Sequence, residues 1–538
     1  MTTGVTVAVA GILVGLAYVL LTVGSRDARL PPGPPTLPFI GNLHQIPRRR
    51  SHLKYTEFAK TYGGLYTVKA GHRTMAIINE RRVVRELLEE KGSIASNRPP
   101  SYIVQEIISK RDHLLTLEYG PMWRLYRKLI HQCFMESVCD KHHVHLQHAE
   151  AVQMLRDFIA APGDYMLHPR RYSNSVITSI VYGIRITSPH AIYMERLYEM
   201  LDEFTALLEL GATPPVDLYP FLKWIPERLL GNWMTRSTHV KDIMESLHQP
   251  MFQHVINRRQ KFGHKDSFMD RLLADNDKLG FSPHQLSFLG GGLVEGGSET
   301  PAALIISFIQ AMTKWTEVQK KAQQEIDSLI GEDRTPTWED YGRLSYVAAL
   351  VKECVRWRPV APLGMPHFLD QDVWVDGKFL PKGTILVLNI WGLNHDEKFY
   401  PNSQEFDPTR YEHKMLPASE YVGVADHDNR DHYSYGAGRR LCTGIHIAER
   451  DLFIAMSMLL WAFNFEQQTD PVSGQPLVPD TDPDTGYIEG LVTCPKQFPC
   501  KVTVRSAERK ETIMREFAQA EAGILSKYDE CVDMGAHI

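Results

Sequence analysis

The sequence predicts an α+β fold that is mostly α, with small segregated β-sheets, preceded by one N-terminal transmembrane helix. Three observations support this class. Helical periodicity dominates from about residue 120 to 360, short strand-like patterns stand apart from it, and an uncharged apolar run occupies the first 25 residues. With 43% hydrophobic and 23% charged residues, the chain has the composition of a globular protein.

Residues 1–25 predict a membrane signal-anchor. No charged side chain occurs in residues 2–25, and about 20 apolar residues in a helix cross the hydrocarbon core of a bilayer. Arg26 and Arg29 follow this run, and positive charge on the carboxyl side keeps that side in the cytosol. A secretory signal that is cleaved off is the alternative interpretation.

Residues 26–50 predict a basic, proline-rich strap. Five prolines lie within residues 31–38, where they exclude a helix and favour a stiff, extended chain. Because the strap lies between an apolar helix and a folded body, we expect a spacer that orients the body on the membrane. A proline-rich ligand for a small recognition domain is the alternative.

Residues 51–538 predict one large unit, since no Ser/Gly-rich linker divides them. Residues 65–69 and 74–78 read as a short hairpin. Further predicted strands are Val373–Val375, Ile385–Leu388 and Lys501–Val504, and predicted helices are 187–210, 239–262, 282–329 (interrupted by glycine and proline) and 507–527.

Charge and cysteine usage exclude several classes of protein. The chain has 59 basic and 64 acidic residues and a net charge of −5, so no nucleic-acid partner is expected. Its seven cysteines include no C-x-x-C pair, which argues against a disulfide framework and against a structural zinc site. This usage is typical of a reducing compartment.

The most specific motif is Tyr435-Gly-Ala-Gly438-Arg-Arg440-Leu-Cys442-Thr-Gly444. Glycines let the backbone approach a flat ligand closely. Neighbouring cations and the start of a following helix lower the pKa of a thiol and favour the thiolate, which is the form that binds metals. A buried, inert cysteine beside a glycine turn is the alternative.

This stretch resembles the haem-binding loop of the cytochrome P450 family, F-x-x-G-x-R-x-C-x-G, with tyrosine in place of the first phenylalanine. The resemblance implies the fold of that family and haem b as the cofactor. It makes Cys442 the axial thiolate ligand of the haem iron, a ligation that favours O–O cleavage. Arg440 is then expected to pair with a haem propionate, and Gly438 and Gly444 to belong to the haem-binding loop.

A second motif is Glu353-Cys-Val-Arg356, whose acid and base lie one helical turn apart and can form an ion pair. Such pairs are common on helix surfaces and mean little alone. The motif resembles the E-x-x-R of the same family, and Phe406-Asp-Pro-Thr-Arg410 resembles the segment that supplies a third member. The resemblance implies a structural network of Glu353, Arg356 and Arg410 beneath the haem.

A third motif is Gly296-Gly297-Ser-Glu299-Thr300. Glycine inside a helix costs up to about 1 kcal/mol relative to alanine, so it needs a reason such as a bulky neighbour. An acid next to a hydroxyl can relay protons into a dry pocket. A helix break with a solvated acid, assisted by Pro301, is the alternative.

That pentad resembles the family's (A/G)-G-x-(D/E)-T. The resemblance implies that Glu299 and Thr300 are catalytic residues that deliver protons at the haem. It also implies that Gly296 and Gly297 leave room for oxygen and substrate.

A fourth motif, Trp123-Arg-Leu-Tyr-Arg127, resembles the family's W-x-x-x-R, whose indole and guanidinium groups bind a propionate. His367 lies where many members carry a propionate-binding arginine. Arg124 and Lys128 are candidates for a basic face that docks an acidic reductase, although a solvated basic helix explains them equally well.

The resemblance implies a monooxygenase that receives electrons from NADPH through NADPH–cytochrome P450 reductase and inserts one atom of O2 into a C–H bond. The expected location is the endoplasmic reticulum membrane, single-pass, with the haem-binding domain in the cytosol. A haem-thiolate isomerase or dehydratase that uses no oxygen is an alternative, against which the Glu299–Thr300 pair argues. A non-catalytic haem carrier or gas sensor is another.

The substrate is expected to be small and hydrophobic or aromatic. Residues 166–175, 210–217 and 511–518 resemble filamentous-fungal enzymes of polyketide pathways, in particular the m-cresol and m-hydroxybenzyl alcohol hydroxylases of patulin-type biosynthesis. This likeness implies hydroxylation of a small phenol; a larger polyketide or terpenoid intermediate is the alternative. Candidate pocket residues, mostly apolar, are Ile103, Val104, Gly296, Ala361, Leu363 and Leu491.

Overall fold

Helices form most of the molecule. The computed structural model describes residues 2–22, 24–208, 211–488, 490 and 492–531. The α-helices are, in chain order, α1 (Thr2–Thr22), α2 (Ser51–Tyr62), α3 (Arg81–Val84), α4 (Pro121–Phe134), α5 (Glu136–Val138), α6 (Val144–Ala160), α7 (Leu167–Tyr182), α8 (Ile192–Leu208), α9 (Trp233–Phe262), α10 (Phe268–Leu279), α11 (Pro283–Lys314), α12 (Thr316–Leu329), α13 (Ser345–Trp357), α14 (Ile390–Asn394), α15 (Ala418–Tyr421), α16 (Ile445–Ala462) and α17 (Ala507–Gly523).

The strands are short and grouped in small sheets, as predicted. One sheet has the order β1-β2-β7-β4, and the others are two-stranded pairs. The strands are β1 (Leu65–Ala70), β2 (Arg73–Ile78), β3 (Ile184–Arg185), β4 (His367–Phe368), β5 (Val373–Val375), β6 (Lys378–Leu380), β7 (Ile385–Leu388), β8 (Phe463–Glu466), β9 (Gln468–Thr469), β10 (Pro476–Leu477), β11 (Tyr487–Ile488), β12 (Cys494–Pro495), β13 (Lys501–Val504) and β14 (Asp529–Glu530).

The predicted hairpin is confirmed. Strands β1 and β2 are antiparallel, with Leu65 opposite Ile78, and β7 pairs in parallel with β2. The predicted bounds of β5, β7 and β13 coincide with the observed ones. Their side chains are rich in valine, isoleucine and leucine, which favour pleated, half-buried positions.

Helix α11 is the central element and packs most extensively on α7. It begins with a capping box in which Ser282 accepts from the backbone of Gln285, whose side chain bonds back to Ser282. The prediction that glycine and proline interrupt this region is wrong. The helix continues through Pro301, and the interruption lies at Trp315, which has φ −101° and ψ 70°.

The glycines of α11 persist in the helix because neighbouring helices need the space. A Cβ at Gly290 would lie 2.5 Å from the hydroxyl of Tyr182 on α7, and a Cβ at Gly291 would collide with the ring of His248 on α9. Close helix packing thus offsets the intrinsic cost of glycine.

Two other helices differ from their predicted bounds. Helix α8 begins at Ile192 rather than residue 187, because Pro189 disfavours helical geometry at the residue before it. Helix α9 begins earlier than predicted, at Trp233, whose side chain is buried against the ring of Tyr102 at 6.3 Å between centroids.

The N-terminal apolar run folds as α1. Within the part of the chain that the structure describes, no helix is long and apolar enough to cross a membrane. The predicted transmembrane helix is therefore not supported.

Residues 31–36 of the proline-rich strap form neither helix nor turn and lie against β1, whereas Leu43–Gln45 form a 3-10 helix. The backbone N–H of Thr67 donates to the carbonyl oxygen of Pro32 at 2.8 Å. The guanidinium of Arg26 donates to the carbonyl oxygens of Pro31, Pro34 and Thr67 at 2.9, 3.2 and 2.7 Å. These bonds attach the strap to the body at its first sheet.

Candidate active site

A cavity of about 400 Å³ lies between α11 and the loop that carries Cys442. Its lining is mostly apolar, as in ligand pockets generally. The site residues predicted from the sequence that line it are Trp123, Arg127, Gly296, Glu299, Thr300, Ala361, His367, Arg440, Cys442 and Gly444.

The loop around Cys442 is shaped by left-handed glycines. Gly436 and Gly438 have φ of 77° and 61°, and a Cβ at Gly438 would collide with the carbonyl oxygen of Leu88. Gly438 therefore permits a close approach of two segments and does not line the cavity, contrary to the cofactor-binding role predicted for it. The backbone N–H of Cys442 donates to the carbonyl oxygen of Tyr435 at 2.9 Å.

The pKa of the Cys442 thiol is raised in the structure, whereas the sequence predicted a lowered one. Desolvation within the cavity raises its pKa above the ordinary value, while the backbone N–H of Gly444 and the charge of Arg127 act to lower it. A positive charge placed at the sulfur would favour the thiolate. A metal cation at the sulfur supplies such a charge.

Three guanidinium groups converge at one end of the cavity: Arg98, Arg127 and Arg440. None of them has an ion-pair partner among the residues that the structure describes. Burial and the charges of Arg98 and Arg127 lower the pKa of Arg440 to about 8, and burial lowers that of Arg98 to about 10. Cations that line a cavity without an acidic partner indicate an anionic ligand.

Arg440 is positioned for such a ligand. Its Nε donates to the carbonyl oxygen of Ser96 at 2.9 Å and one terminal nitrogen to that of Leu117 at 2.7 Å. Its guanidinium lies 4.5 Å from the ring centroid of Trp123. These contacts hold the group at the cavity wall.

His367 does not fit the propionate-binding role predicted for it. Its Nδ1 donates to the carbonyl oxygen of Ala95 at 2.8 Å, and burial, together with Arg98 and Arg440, lowers its pKa to about 3. The neutral ring carries its proton on Nδ1 and so presents an unprotonated nitrogen on the other side. Arg98, which sequence reasoning missed, supplies the cation here and donates to the carbonyl oxygens of Met365 and Pro366 at 2.9 and 2.8 Å.

These residues together fit the haem that the sequence predicts. A soft sulfur ligand lies on one cavity wall. Three guanidinium groups without acidic partners among the described residues, one buried (Arg98) and two half-buried (Arg127 and Arg440), match two carboxylates, which arginine binds in a bidentate manner. A haem would supply the carboxylates for these cations and the metal for the sulfur.

The α11 side of the cavity carries Glu299 and Thr300. Burial, and then the charge of Asp202, raise the pKa of Glu299 to about 7, which suits proton transfer near neutral pH. The hydroxyl of Thr300 donates to the carbonyl oxygen of Gly296 at 2.7 Å. The surroundings of Glu299 and Thr300 are therefore compatible with the proton delivery predicted for them.

Gly296 and Gly297 have different reasons to be glycine. A Cβ at Gly296 would have nothing within 4 Å, so this position opens the cavity. A Cβ at Gly297 would lie 2.6 Å from Cγ1 of Ile177 on α7. Helix packing therefore requires Gly297, which also lines the cavity.

The structure brings Glu353, Arg356 and Arg410 together away from the cavity. Arg356 donates from two nitrogens to the two carboxylate oxygens of Glu353, each at 2.7 Å, and Arg410 lies 3.4 Å from one of them. The side chains of Glu353 and Arg356 are fully buried. Arg356 also donates to the carbonyl oxygens of Asn394 and Ser403 at 2.9 and 3.0 Å.

Three predicted pocket residues lie elsewhere. Ile103 and Val104 are buried in the main helical core, in a π-helical turn that packs against α9. Leu363 packs against the apolar cluster on the first sheet rather than into the cavity. Leu491 lies outside the described residues.

The polar residues of the cavity wall that were not predicted include, besides Arg98, His113 and Glu295. No spacing in the sequence connects them, since they lie in separate segments. The triplet Gly290-Gly-Gly292 just before Glu295 is the one local signal of close packing at this part of α11.

Comparison with known proteins extends the resemblance over most of the chain. A family model described as Cytochrome P450 matches residues 31–480. Cytochrome P450 monooxygenase macC of Penicillium terrestre is 49% identical over 505 residues, covering 93% of this chain and 94% of that protein. Cytochrome P450 monooxygenase patI of Aspergillus clavatus is 44% identical over 526 residues, covering 98% of each.

The fold also matches a solved structure. The chain in "Zebra fish cytochrome P450 another structure with Progesterone" superimposes with a TM-score of 0.69 at 22% identity, covering 84% of this chain and 99% of that one. This likeness supports the predicted helix-rich architecture with small sheets.

Proposed function

The chain belongs to the cytochrome P450 family, and from this premise we propose that it hydroxylates a small phenolic intermediate of a fungal polyketide secondary-metabolite pathway. It is an oxygen-incorporating oxidoreductase with a haem iron cofactor, and it receives electrons from a reductase. Similarity to fungal monooxygenases, including patI and patH of Aspergillus clavatus, supports the pathway class.

The observation that carries the proposal is the joining of Cys442, the guanidinium cluster and the Glu299–Thr300 pair in one small cavity. The lining of this cavity is mostly apolar, as in ligand pockets generally, and suits small aromatic and longer apolar substrates alike. The choice of a small phenol therefore rests on the likeness of residues 166–175, 210–217 and 511–518 to fungal polyketide-pathway enzymes.

The bound haem supplies the oxidising chemistry, and the protein supplies the pocket and the proton path. Cys442 would hold the iron, and Arg98, Arg127 and Arg440 would hold the propionates. Glu299 donates protons from α11, and the hydroxyl of Thr300 lies next to it in the chain. Exposed Arg124 and Lys128 on α4 belong to the proposed docking face for the reductase.

The test is a titration of the holoenzyme in microsomes with m-cresol, m-hydroxybenzyl alcohol and a long-chain fatty acid, followed through the haem spectrum. We expect a change of spin state with a phenol, and hydroxylated product carrying oxygen from labelled O2 when reductase and NADPH are added. Conversion of the fatty acid with no response to any phenol would contradict the phenolic substrate and favour a different pathway intermediate.

The pKa of Glu299 predicts an alkaline limb in the pH profile of product formation, that is, a fall in rate as the pH rises. A carboxyl with a pKa of about 7 is protonated below that pH, so proton delivery is fullest below pH 7 and declines as the pH rises through it. Glu299→Gln is expected to reduce the rate by about 100-fold and to remove this limb. Product formation and NADPH consumption, measured from pH 5.5 to 8.5 (roughly the range of His and raised-carboxyl titration), provide the check.

Asp202→Asn is the informative companion variant, because the negative charge of Asp202 helps to raise the pKa of Glu299. Removing that charge is expected to move the limb to lower pH without the loss seen in Glu299→Gln. An unchanged limb in both variants would show that another group titrates.

We also propose the predicted location, the endoplasmic reticulum membrane. Residues 1–25 would be a single-pass anchor, residues 26–50 a strap, and residues 51–538 the cytosolic haem-binding domain. Support comes from the uncharged apolar composition of residues 2–25 and the arginines that follow. We expect the full chain to remain in carbonate-washed membranes and a chain beginning at Arg26 to be released. Release of both would contradict the anchor.

A further inference from the structure

The cavity wall contains a buried polar cluster that the proposed chemistry does not use. Glu295 on α11 accepts hydrogen bonds from Nε2 of His113 at 2.9 Å and Nε2 of His248 at 2.8 Å. The side chains of His113, His248 and Glu295 are only 5%, 3% and 8% exposed. His113 and Glu295 line the cavity, whereas His248 supports the carboxylate from α9.

The hydrogen bonds define the protonation of this cluster. The backbone N–H of Leu115 donates to Nδ1 of His113 at 3.2 Å, so the proton of that ring is on Nε2, facing Glu295. His248 also donates from Nε2. Burial raises the pKa of Glu295, but the two histidines outweigh it and bring the pKa to about 2. Glu295 is therefore a carboxylate.

This carboxylate has unused capacity to accept hydrogen bonds. An ionised carboxyl group offers about four lone-pair sites, of which the histidines occupy two. No arginine or lysine pairs with Glu295 among the described residues. A buried anion is costly unless its hydrogen bonds are made, so a donor group on a ligand in the cavity would stabilise it.

The backbone next to Glu295 leaves room for a flat ring. A Cβ at Gly292 would meet only Nε2 of His113, at 3.9 Å, and one at Gly296 would meet nothing within 4 Å. The ring of Phe204 lies 6.1 Å from that of His113 and forms an apolar wall. The open strip of α11 thus has an acceptor beside it and an aromatic side chain across from it.

We propose that Glu295, held by His113 and His248, accepts a hydrogen bond from the hydroxyl group of a phenolic substrate lying along Gly292 and Gly296. This inference rests on the proposed function and adds a specificity-determining residue to it. Most of the cavity lining is apolar, so one charged acceptor selects ligands that carry a donor. Hydrogen bonds to charged groups are strong enough to give at least about tenfold discrimination.

A purely structural role is the competing explanation, since the cluster ties α9 and the segment of His113 to α11. The two explanations differ in ligand selectivity. A structural tie affects stability without affecting the preference for a phenol over its methyl ether, whereas an acceptor for the substrate determines that preference.

The test compares the holoenzyme with Glu295→Gln and Asp451→Asn. Glutamine keeps the size of the side chain, and Nδ1 of His248, which has no partner in the described part of the chain, allows that ring to exchange tautomers and accept from the new amide. Asp451 is the matched control, because it also lines the cavity and accepts hydrogen bonds from Gln147 and Tyr172 at 2.8 and 3.0 Å.

The ligands are two matched pairs, m-cresol with 3-methylanisole and 2-naphthol with 2-methoxynaphthalene, titrated by calorimetry and by the haem spectrum. We expect the wild type and Asp451→Asn to bind each phenol at least about tenfold more tightly than its ether. Glu295→Gln is expected to lose that ratio while its affinity for the ethers stays the same.

An unchanged ratio in Glu295→Gln, or equal affinity of the wild type for phenols and ethers, would overturn the inference. If the proposed function were wrong, the holoenzyme would lack a thiolate-type haem spectrum or would form no oxygenated product. The calorimetric ratio tests the role of Glu295 in either case.

Discussion

Cys442→Ser is expected to abolish oxygenation. Loss of partners that only support a metal ligand already costs 10–100-fold, so loss of the ligand itself should exceed about 100-fold. Serine has nearly the same size, but its hydroxyl does not ionise as a thiol does and is a poor ligand for haem iron. The measurements are haem content per polypeptide, the haem spectrum and product formation with reductase and NADPH.

Cys500→Ser is the matched control. Cys500 is buried and accepts a hydrogen bond from Thr313 at 3.2 Å, and unlike Cys442 it does not line the cavity. We expect this variant to retain the wild-type spectrum and activity. Comparable losses in both variants would mean that Cys442 contributes to stability alone, and a normal thiolate-type spectrum in Cys442→Ser would refute its assignment as the axial ligand.

Arg356→Ala is expected to destabilise the fold by about 3–5 kcal/mol, because it leaves the buried carboxylate of Glu353 without its main partner. The carbonyl oxygens of Asn394 and Ser403 lose their donors at the same time. This loss is a large share of the 5–15 kcal/mol that typically separates folded from unfolded domains. We expect little holoenzyme and a lowered midpoint of unfolding.

Lys320→Ala provides the comparison, since Lys320 pairs with Glu317 at the same spacing on α12 but both side chains are exposed, at 62% and 83%. Exposed pairs contribute about 0–1 kcal/mol. Haem content and the unfolding midpoint of this variant should match those of the wild type. If Arg356→Ala behaved in the same way, the buried network would not be what stabilises the haem-binding core.

The elements that the sequence predicted well are those with local causes. The hairpin, the short strands and the E-x-x-R pair follow from spacing within a few residues, and the structure shows them at the predicted positions. Arg410 could be placed beside Glu353 only through the family resemblance, because the two are far apart in the chain.

The parts of the site that were missed depend on tertiary packing. Arg98 reaches the cavity through bonds to Leu115, Met365 and Pro366, and no short motif contains these segments. Glu295 meets two histidines from different parts of the chain for the same reason. Pro301 was read as a helix breaker, yet the buried surroundings of α11 outweigh that local preference.

The strand β14 near the carboxyl end pairs in parallel with β3 and so joins segments from distant parts of the chain. Asp529 in that strand forms ion pairs with Arg258 and Lys265 and a hydrogen bond with Nε2 of His254, around the end of α9. Contacts of such high contact order form late and slowly. During synthesis β14 emerges from the ribosome long after α9, so α9 cannot gain these bonds until the chain has been made as far as Asp529. Until then the nascent chain holds α9 without them.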